Sequence, residues 1–491
     1  MALAHGPRGM VGSPVRLRSR LGVLTLLLLA AVQFLDIVDA SIVNVALPSI
    51  QRSLGFSQQN LQWVVSGYIL TYGGFLLLGG RLADLLGRRR MLVAGLVLFA
   101  LASLAGGLAA GQGLLVGARL VQGGSAALMA PAALSELTTT FREGADRATA
   151  LGVWGAVSGM AAAAGVLFGG LLSDGPGWRW VLFVNPPVCL VVLAAALRLL
   201  PRGTTREREG TFDTRGALLV TAGMLLLVFG LVRAPVVGWA TGQTILTLVA
   251  AGILLAAFAV NEARSRHPLV PFSILRVRGL VAANATQLIA FAGAFTMFFF
   301  VTLYMQEVLG YSPLRAGVAY LPITAGFAVS GGVAPQLVIR IGTRPVVAGG
   351  ALVGGAGIYY LARVPIHGSY VADLLPGFVV MALGMGSVFV AVIAAANAGV
   401  PGDDAGLAAG LLNASQQVGS ALGLAIISAI AITRTDDLLA AHAGRIDALD
   451  AGYHRGLLIG SLSMLAAAVI ATRIGNTRTS GPLVLAQYPV E

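Results

Sequence analysis

Two aspartates, Asp36 and Asp39, stand inside an apolar run that starts at Leu21 and reaches Pro48, with Ser41 and Asn44 just beyond them. An ionised carboxylate near the middle of a bilayer costs roughly 2.5–3.5 kcal/mol on insertion scales. Three residues apart, the two share one face of a helix, so they are paired or used. Carboxylates in such a place can carry protons or hold a cation. A candidate partner lies in a second apolar run, where LVGARLVQGGSAA places Arg119. At 1.5 Å per residue, Asp39 lies about 13 Å below the outer end of its segment at Pro48, and Arg119 about 9 Å inside its own. A cation that deep should face the protein interior rather than snorkel. The two are expected to meet, either as a group that handles protons or as a static buried ion pair.

Further polar side chains interrupt the apolar runs: Asn44, Gln122, Asn284, Gln287, Asn413, Gln416 and Gln417. Each either faces a substrate cavity or merely bonds across helices, a contact worth about 0.6 kcal/mol on average. Trp63, Tyr68 and Tyr72 could stack on an aromatic or cationic substrate, although Trp63 equally suits a membrane interface.

The composition that carries these residues belongs to a polytopic membrane protein. Of 491 residues, 57% are hydrophobic and 11% charged, against about 25% charged in soluble proteins, and mean hydropathy is +0.85. All 32 basic residues are arginine. Without lysine there is no Walker-A nucleotide loop of the usual type and no lysine Schiff base. Transport work would then draw on a gradient or on a separate ATPase. One cysteine, Cys189, excludes an intrachain disulfide and cysteine-based metal sites. The five histidines (His5, His267, His367, His442, His454) are expected outside the apolar runs, which leaves proton handling in the membrane to carboxylates. No catalytic group, metal or cofactor is expected. Nor does the basic N-terminal arm read as a cleaved signal, because the run after it is long and holds Asp36 and Asp39.

Apolar segments of spanning length, about 20 residues each, recur fourteen times. They lie near 21–47, 60–80, 91–111, 113–135, 149–172, 180–200, 216–234, 243–261, 280–304, 316–338, 346–364, 374–397, 406–431 and 455–473. With the N-terminus inside, 23 of the 32 arginines fall on inner segments, 8 on outer ones and Arg119 within a span. This is a positive-inside pattern with both termini cytoplasmic. The charge is spread over loops without interleaved aromatics, so nucleic acid is not an expected partner.

The expected organisation is an arm over 1–20, a six-helix bundle over 21–200, and a linker over 201–215. A two-helix insert over 216–262, a second linker over 263–279, a second six-helix bundle over 280–475 and a tail over 476–491 complete it. Two halves of six are the mark of transporters built from repeats, with substrate bound near the midplane between them.

Seven stretches carry a resemblance. GRLADLLGRRRML (80–92) resembles the signature loop of the major facilitator superfamily, with arginine where lysine often stands. By that resemblance Gly80, Asp84, Gly87 and Arg88 form a charge-relay latch that gates one face. Read without it, the stretch is a plain basic loop. The Arg119 stretch resembles the family's fourth-span motif, in which the arginine is associated with proton transfer. GVLFGGLL (165–172) resembles the exporter motif of the fifth span through Gly165, Gly169 and Gly170, with Val166 where proline is usual. Read without the resemblance, it is a close helix contact. LDIVDASIVNVALP resembles the first span of the fourteen-span drug:proton antiporters, with Asp39 at the acidic position. WRWVLFVNPP (178–187), LYMQEVLGYSPLRAG (303–317) and DAGLAAGLLNASQQVGSALG (404–423) resemble other segments of that branch.

The resemblance implies an all-α integral membrane protein of the major facilitator fold with fourteen transmembrane helices. It implies a monomer in the cell membrane that exports amphipathic compounds such as drugs or antibiotics by alternating access, driven by protons. Asp39, Asp36 and Arg119 would couple the protons. Two alternatives stay open: transport of a defined metabolite, and a non-transporting sensor or lipid-handling protein of the same fold.

Overall fold

The computed structural model describes residue 17, residues 19–141, 145–201, 213–265, 274, 277, 279–398, 400 and 405–477. Most of the arm, of both linkers and of the tail lies outside the described residues. Within them the chain is helical and contains no strand.

The first set of helices is α1 (Arg20–Leu54), α2 (Gln58–Leu86), α3 (Arg88–Gly107), α4 (Gln112–Thr140), α5 (Ala145–Asp174), α6 (Trp180–Phe183) and α7 (Asn185–Leu199). A hairpin follows, α8 (Thr214–Val237) and α9 (Gly242–Arg264). The second set is α10 (Leu280–Leu303), α11 (Pro313–Ala319), α12 (Leu321–Ile341), α13 (Thr343–Leu361), α14 (Leu375–Asn397), α15 (Ala405–Ala440) and α16 (Arg445–Ala471).

Eleven helical stretches are long and apolar enough to cross a membrane. The expected fourteen would also need α2, α5 and α13, which have spanning length at 29, 30 and 19 residues but are not among the eleven. The count covers the described residues alone, and within α5 these include the apolar run Ala164–Asp174.

Helix ends follow local chemistry. Ser19 starts α1 by accepting the Gly22 N–H at 3.0 Å, and Gly55 ends it at φ 66, a left-handed cap that costs glycine nothing. Pro48 does not end this helix, which runs a further six residues to Leu54. Asp39 is therefore about 22 Å from the helix end, not 13 Å. Pro186 and Pro187 open α7 and break its span after the four-residue α6; proline is tolerated in a first turn, where its missing N–H is no loss.

Packing divides the helices. In the first set α1 lies on α5, α2 and α3 lie on α4, and α3 lies on α7. In the second, α10 lies on α15 and α16, and α13 packs between α14 and α16. The α13–α14 approach runs through Gly384, where an added Cβ would strike the backbone of Gly354 and Gly350. The α8–α9 hairpin rests on α2 and α15 through α8, and Thr221 donates to Gly74 O at 2.8 Å.

The two sets meet along α2–α15 and along α1 and α5 against α10, α11 and α12. Two ends of the molecule can be distinguished: the terminal end, where α1 starts and α16 stops, and the far end, where α1 stops and α16 starts. The segment 434–455, expected as a loop, is mostly helix. Helix α15 runs on to Ala440 and α16 begins at Arg445, and His442 sits between them at φ 61. His454 accordingly lies within α16, not outside the spans, with its ring stacked on Tyr304 at 5.8 Å.

Candidate functional site

The polar residues of the first set converge on two carboxylates of α1. Asp39 is wholly buried and Arg119 is 1% exposed. Arg119 Nη1 donates to Asp39 Oδ2 at 2.6 Å. The other oxygen, Oδ1, accepts from Asn185 Nδ2 at 2.6 Å and from Gln122 Nε2 at 3.1 Å. The guanidinium is held in turn. Its Nε donates to Val64 O at 3.0 Å, its Nη1 reaches Gln122 Oε1 at 3.0 Å, and its Cζ sits 4.4 Å over the Tyr68 ring. Asn185 Nδ2 also donates to Ser103 Oγ, which donates to Leu182 O. Six helices, α1, α2, α3, α4, α6 and α7, thus contribute to one network. A buried charge pair is tolerated only when its remaining bonding capacity is met in this way.

Asp36, one turn away, has partners of another kind. Tyr68 Oη donates to its Oδ1 at 2.7 Å and Tyr72 Oη to its Oδ2 at 2.9 Å. The two tyrosines are one helical turn apart on α2, their rings 5.9 Å apart edge to face. Tyr72 is also hydrogen-bonded by the side chain of Asn413 on α15. The chain Asp36–Tyr72–Asn413 therefore crosses from the first helix set to the second. Close by, a Cβ added at Gly73 would lie 3.1 Å from Gln417 Cβ, so α2 and α15 touch directly at this level.

The remaining expected positions separate into groups. Tyr68 and Tyr72, expected as stacking groups for a substrate, are committed to Asp36, and Gln122 is committed to Asp39. Trp63 packs on Phe229 of α8, ring centroids 5.9 Å apart, and so meets the hairpin. Asn44 Nδ2 donates to Ala40 O at 3.2 Å, while its Oδ1 has no hydrogen-bond partner among the described residues. In the second set, Ser415 Oγ donates to Asn284 Oδ1 at 2.9 Å and Gln287 Nε2 to Gln416 Oε1 at 3.2 Å, both between α10 and α15.

At the terminal end Gly87 links α2 to α3 at φ 100, and Gly80 faces Pro131 of α4. Arg88 Nη1 donates to Thr139 Oγ1 at 2.5 Å with Glu136 in electrostatic reach. The Asp84 side chain lies outside the described residues. In α5, a Cβ at Gly165 would meet Ser41 Oγ and one at Gly169 would lie 2.5 Å from Ile42 O, so both glycines seat α1. Gly170 faces the other way, 2.7 Å from Pro313 O by the same measure.

Asn185 and Ser103 were not singled out from the sequence. The available signal was the double proline after Asn185, which breaks a helix where a polar side chain would otherwise be hidden.

Comparison with known proteins bears on what such a site serves. Residues 29–424 match the family model described as Major Facilitator Superfamily. The chain is 40% identical over 465 residues to the puromycin resistance protein pur8 of Streptomyces alboniger, covering 92% of this chain and 91% of that one. It is 39% identical over 406 residues to the cephamycin export protein CmcT of Amycolatopsis lactamdurans, covering 82% and 83%. Among solved structures, a bacterial homologue of the human lysosomal transporter Spinster, described as inward-facing and unoccupied, superposes with a TM-score of 0.65. It covers 92% of this chain and 97% of that chain at 17% identity, a likeness of fold.

Proposed function

The chain belongs to the major facilitator superfamily, a family of membrane transporters and not of enzymes, and from that premise we propose that it exports an amphipathic organic compound, such as a drug or antibiotic, in exchange for protons. The observation that carries this reading is the buried Asp39–Arg119 pair at 2.6 Å, embedded in bonds from Gln122 and Asn185. A carboxylate is buried at such cost where its charge is used. The names of the resistance and export relatives support the substrate class. Val166, standing at a position where exporters usually have proline, keeps open a second reading, transport of one defined metabolite.

In this proposal fourteen helices span the cell membrane, both termini are cytoplasmic, and a monomer suffices. The arginine-rich segments 81–90, 198–215 and 264–278 support that orientation. The terminal end is then cytoplasmic and the far end external. The two helix sets alternate access to a site between them, α8 and α9 lie outside the moving core, and Gly80, Asp84, Gly87 and Arg88 gate the cytoplasmic face. Asn44, Asn284, Gln287, Asn413 and Gln416 are the candidates for facing substrate. One proton falling through 100 mV supplies about 2.3 kcal/mol, enough for roughly a fiftyfold gradient at 1.4 kcal/mol per factor of ten. No cofactor is needed.

The test is a susceptibility panel in a host stripped of its own pumps, with puromycin, a cephamycin and lincomycin among the compounds. Expression of the chain should raise tolerance to at least one of them. Asp39→Asn should abolish that protection while the protein still inserts. Efflux at full rate in Asp39→Asn, or efflux that survives collapse of the proton gradient, would overturn the proposal.

A further inference from the structure

Asp39 and Asp36 differ in whether their neighbours leave room for a proton. Asp39 accepts from Arg119, Gln122 and Asn185. The guanidinium is only ever a donor, and Gln122 Oε1 already takes an Arg119 proton. Protonating Asp39 would strand a buried cation and place N–H donors against an O–H. Among the described residues, Asp36 accepts from two tyrosine hydroxyls, at 2.7 and 2.9 Å. A hydroxyl can donate or accept and rotates freely, so the same heavy-atom arrangement accommodates the charged and the neutral acid.

We propose that Asp36 is the proton-carrying carboxylate, that Asp39 is the fixed counter-charge of Arg119, and that Tyr72 passes the state of Asp36 to Asn413 across the seam between the helix sets. This rests on the reading of the chain as a proton-coupled transporter and assigns the carrier within it. The charged and titratable groups around Asp36 are Tyr68 and Tyr72 on α2, Asp39 on its own helix, and Arg119 of α4 over the Tyr68 ring.

In the charged state Tyr72 donates to Asp36 and is itself bonded by Asn413. When Asp36 takes up a proton, the new O–H donates to Tyr72 Oη, and the Tyr72 proton turns away. The acceptor on the far side is the carboxamide oxygen of Asn413, presented if that amide turns over. One proton is gained at Asp36, no other bond to hydrogen is broken, and the Tyr72–Asn413 bond reverses direction. Asn413 lies on α15 and the carboxylate on α1, so a charge change in one helix set alters a bond held by the other.

Infrared difference spectroscopy of the purified full chain in lipid, stepped in pH without any transported compound, tests this apart from efflux. Solvated carboxylates, with reference values of about 4, are ionised above about pH 5.5. A protonated-carboxyl stretch that disappears between there and about pH 8.5 therefore reports a buried acid. It should be present in the wild type, lose amplitude in Asp36→Asn and be retained in Asp39→Asn; any part contributed by Glu136 and Asp450, whose carboxyl pKa values burial raises, is common to all three. Tyr72→Phe and Asn413→Leu should each shift its frequency. If Asp39→Asn does not fold, Asp36→Asn decides by itself. A band absent from the wild type, or of unchanged amplitude in Asp36→Asn, overturns the assignment of the carrier, and an Asp36 component unmoved by Asn413→Leu overturns the path across the seam. A chain that exports nothing in the drug panel would fail the transport reading while leaving this spectrum to stand or fall independently.

Discussion

Arg119 makes four contacts from one buried side chain: Asp39, Gln122, the Val64 carbonyl and the face of Tyr68. Lysine cannot reproduce them, because its ammonium is a point charge with no planar fork. Arg119→Ala leaves Asp39 charged, buried and unpaired, which should cost about 3–5 kcal/mol and show as a lower thermal midpoint in detergent. The double variant Asp39→Leu with Arg119→Met removes both charges and should recover most of that stability. With Asp39 a fixed counter-charge and Asp36 the carrier, export should recover together with stability; a stable protein that does not export would show that the pair itself takes part in coupling. Much of this was legible beforehand, because charges in apolar runs are few and Asp39 and Arg119 are opposite in sign; the depth match was not sound, because it took Pro48 for the end of α1. The partners of Asp36 were not legible. The sequence shows that Tyr68 and Tyr72 share a face of α2, but not that this face turns toward α1 rather than toward a cavity. Asn185 escaped for a related reason: its direction is set by a helix break at a double proline, and only the folded α7 shows where it points.

At the scale of elements, the closest approaches are set by glycine. Gly165 and Gly169 of α5 lie against Ser41 and Ile42 of α1, so the helix that carries both aspartates is positioned by residues without side chains. Gly169→Val would drive a β-branched side chain toward the Ile42 carbonyl, which an added Cβ alone would approach to 2.5 Å. Backbone yields less readily than a side-chain tip, and overpacking of this kind costs about 1–3 kcal/mol. The expected result is a lower thermal midpoint and impaired export together, since α1 moves as it separates from α5. An unchanged midpoint would show that the contact is looser than the geometry implies. Helix existence was readable from apolar runs, because burial and lipid both select for them. Helix ends were not: Pro48 looked like a terminus and is an interior residue of α1, and the polar stretch 434–455 looked like a loop and is mostly two helix ends. Both errors arise because hydropathy reports where lipid stops, whereas capping and side-chain bonds decide where the helix stops.

For the molecule as a whole, the joint between the helix sets decides which side has access. The far-end part of that joint is built from reciprocal backbone contacts. A Cβ at Gly170 of α5 would lie 2.7 Å from Pro313 O at the start of α11, and one at Gly317 of α11 would lie 2.8 Å from Val166 O of α5. Nearby, Gln306 Nε2 donates to Val45 O of α1 at 2.8 Å. These contacts close the far end, so the conformation described is the one with that end shut. A leucine at Gly170 or Gly317 cannot be accommodated while α5 and α11 touch, yet it has room once they part. Each variant should therefore shift the population toward the far-end-open state instead of unfolding either helix set. A bias of 1–3 kcal/mol corresponds to roughly a 5- to 150-fold change in the ratio of the two states. Spin labels at Ser53 on α1 and Arg315 on α11, both exposed far-end positions, read that ratio directly once the buried Cys189 is replaced by serine. Gly170→Leu and Gly317→Leu should lengthen the mean distance between the labels and leave the thermal midpoint within the range of mild surface variants. A distance distribution identical to that of the glycine protein would mean that α5 and α11 do not form the gate. A lengthened distance with unaltered export would mean that opening this end does not limit the cycle.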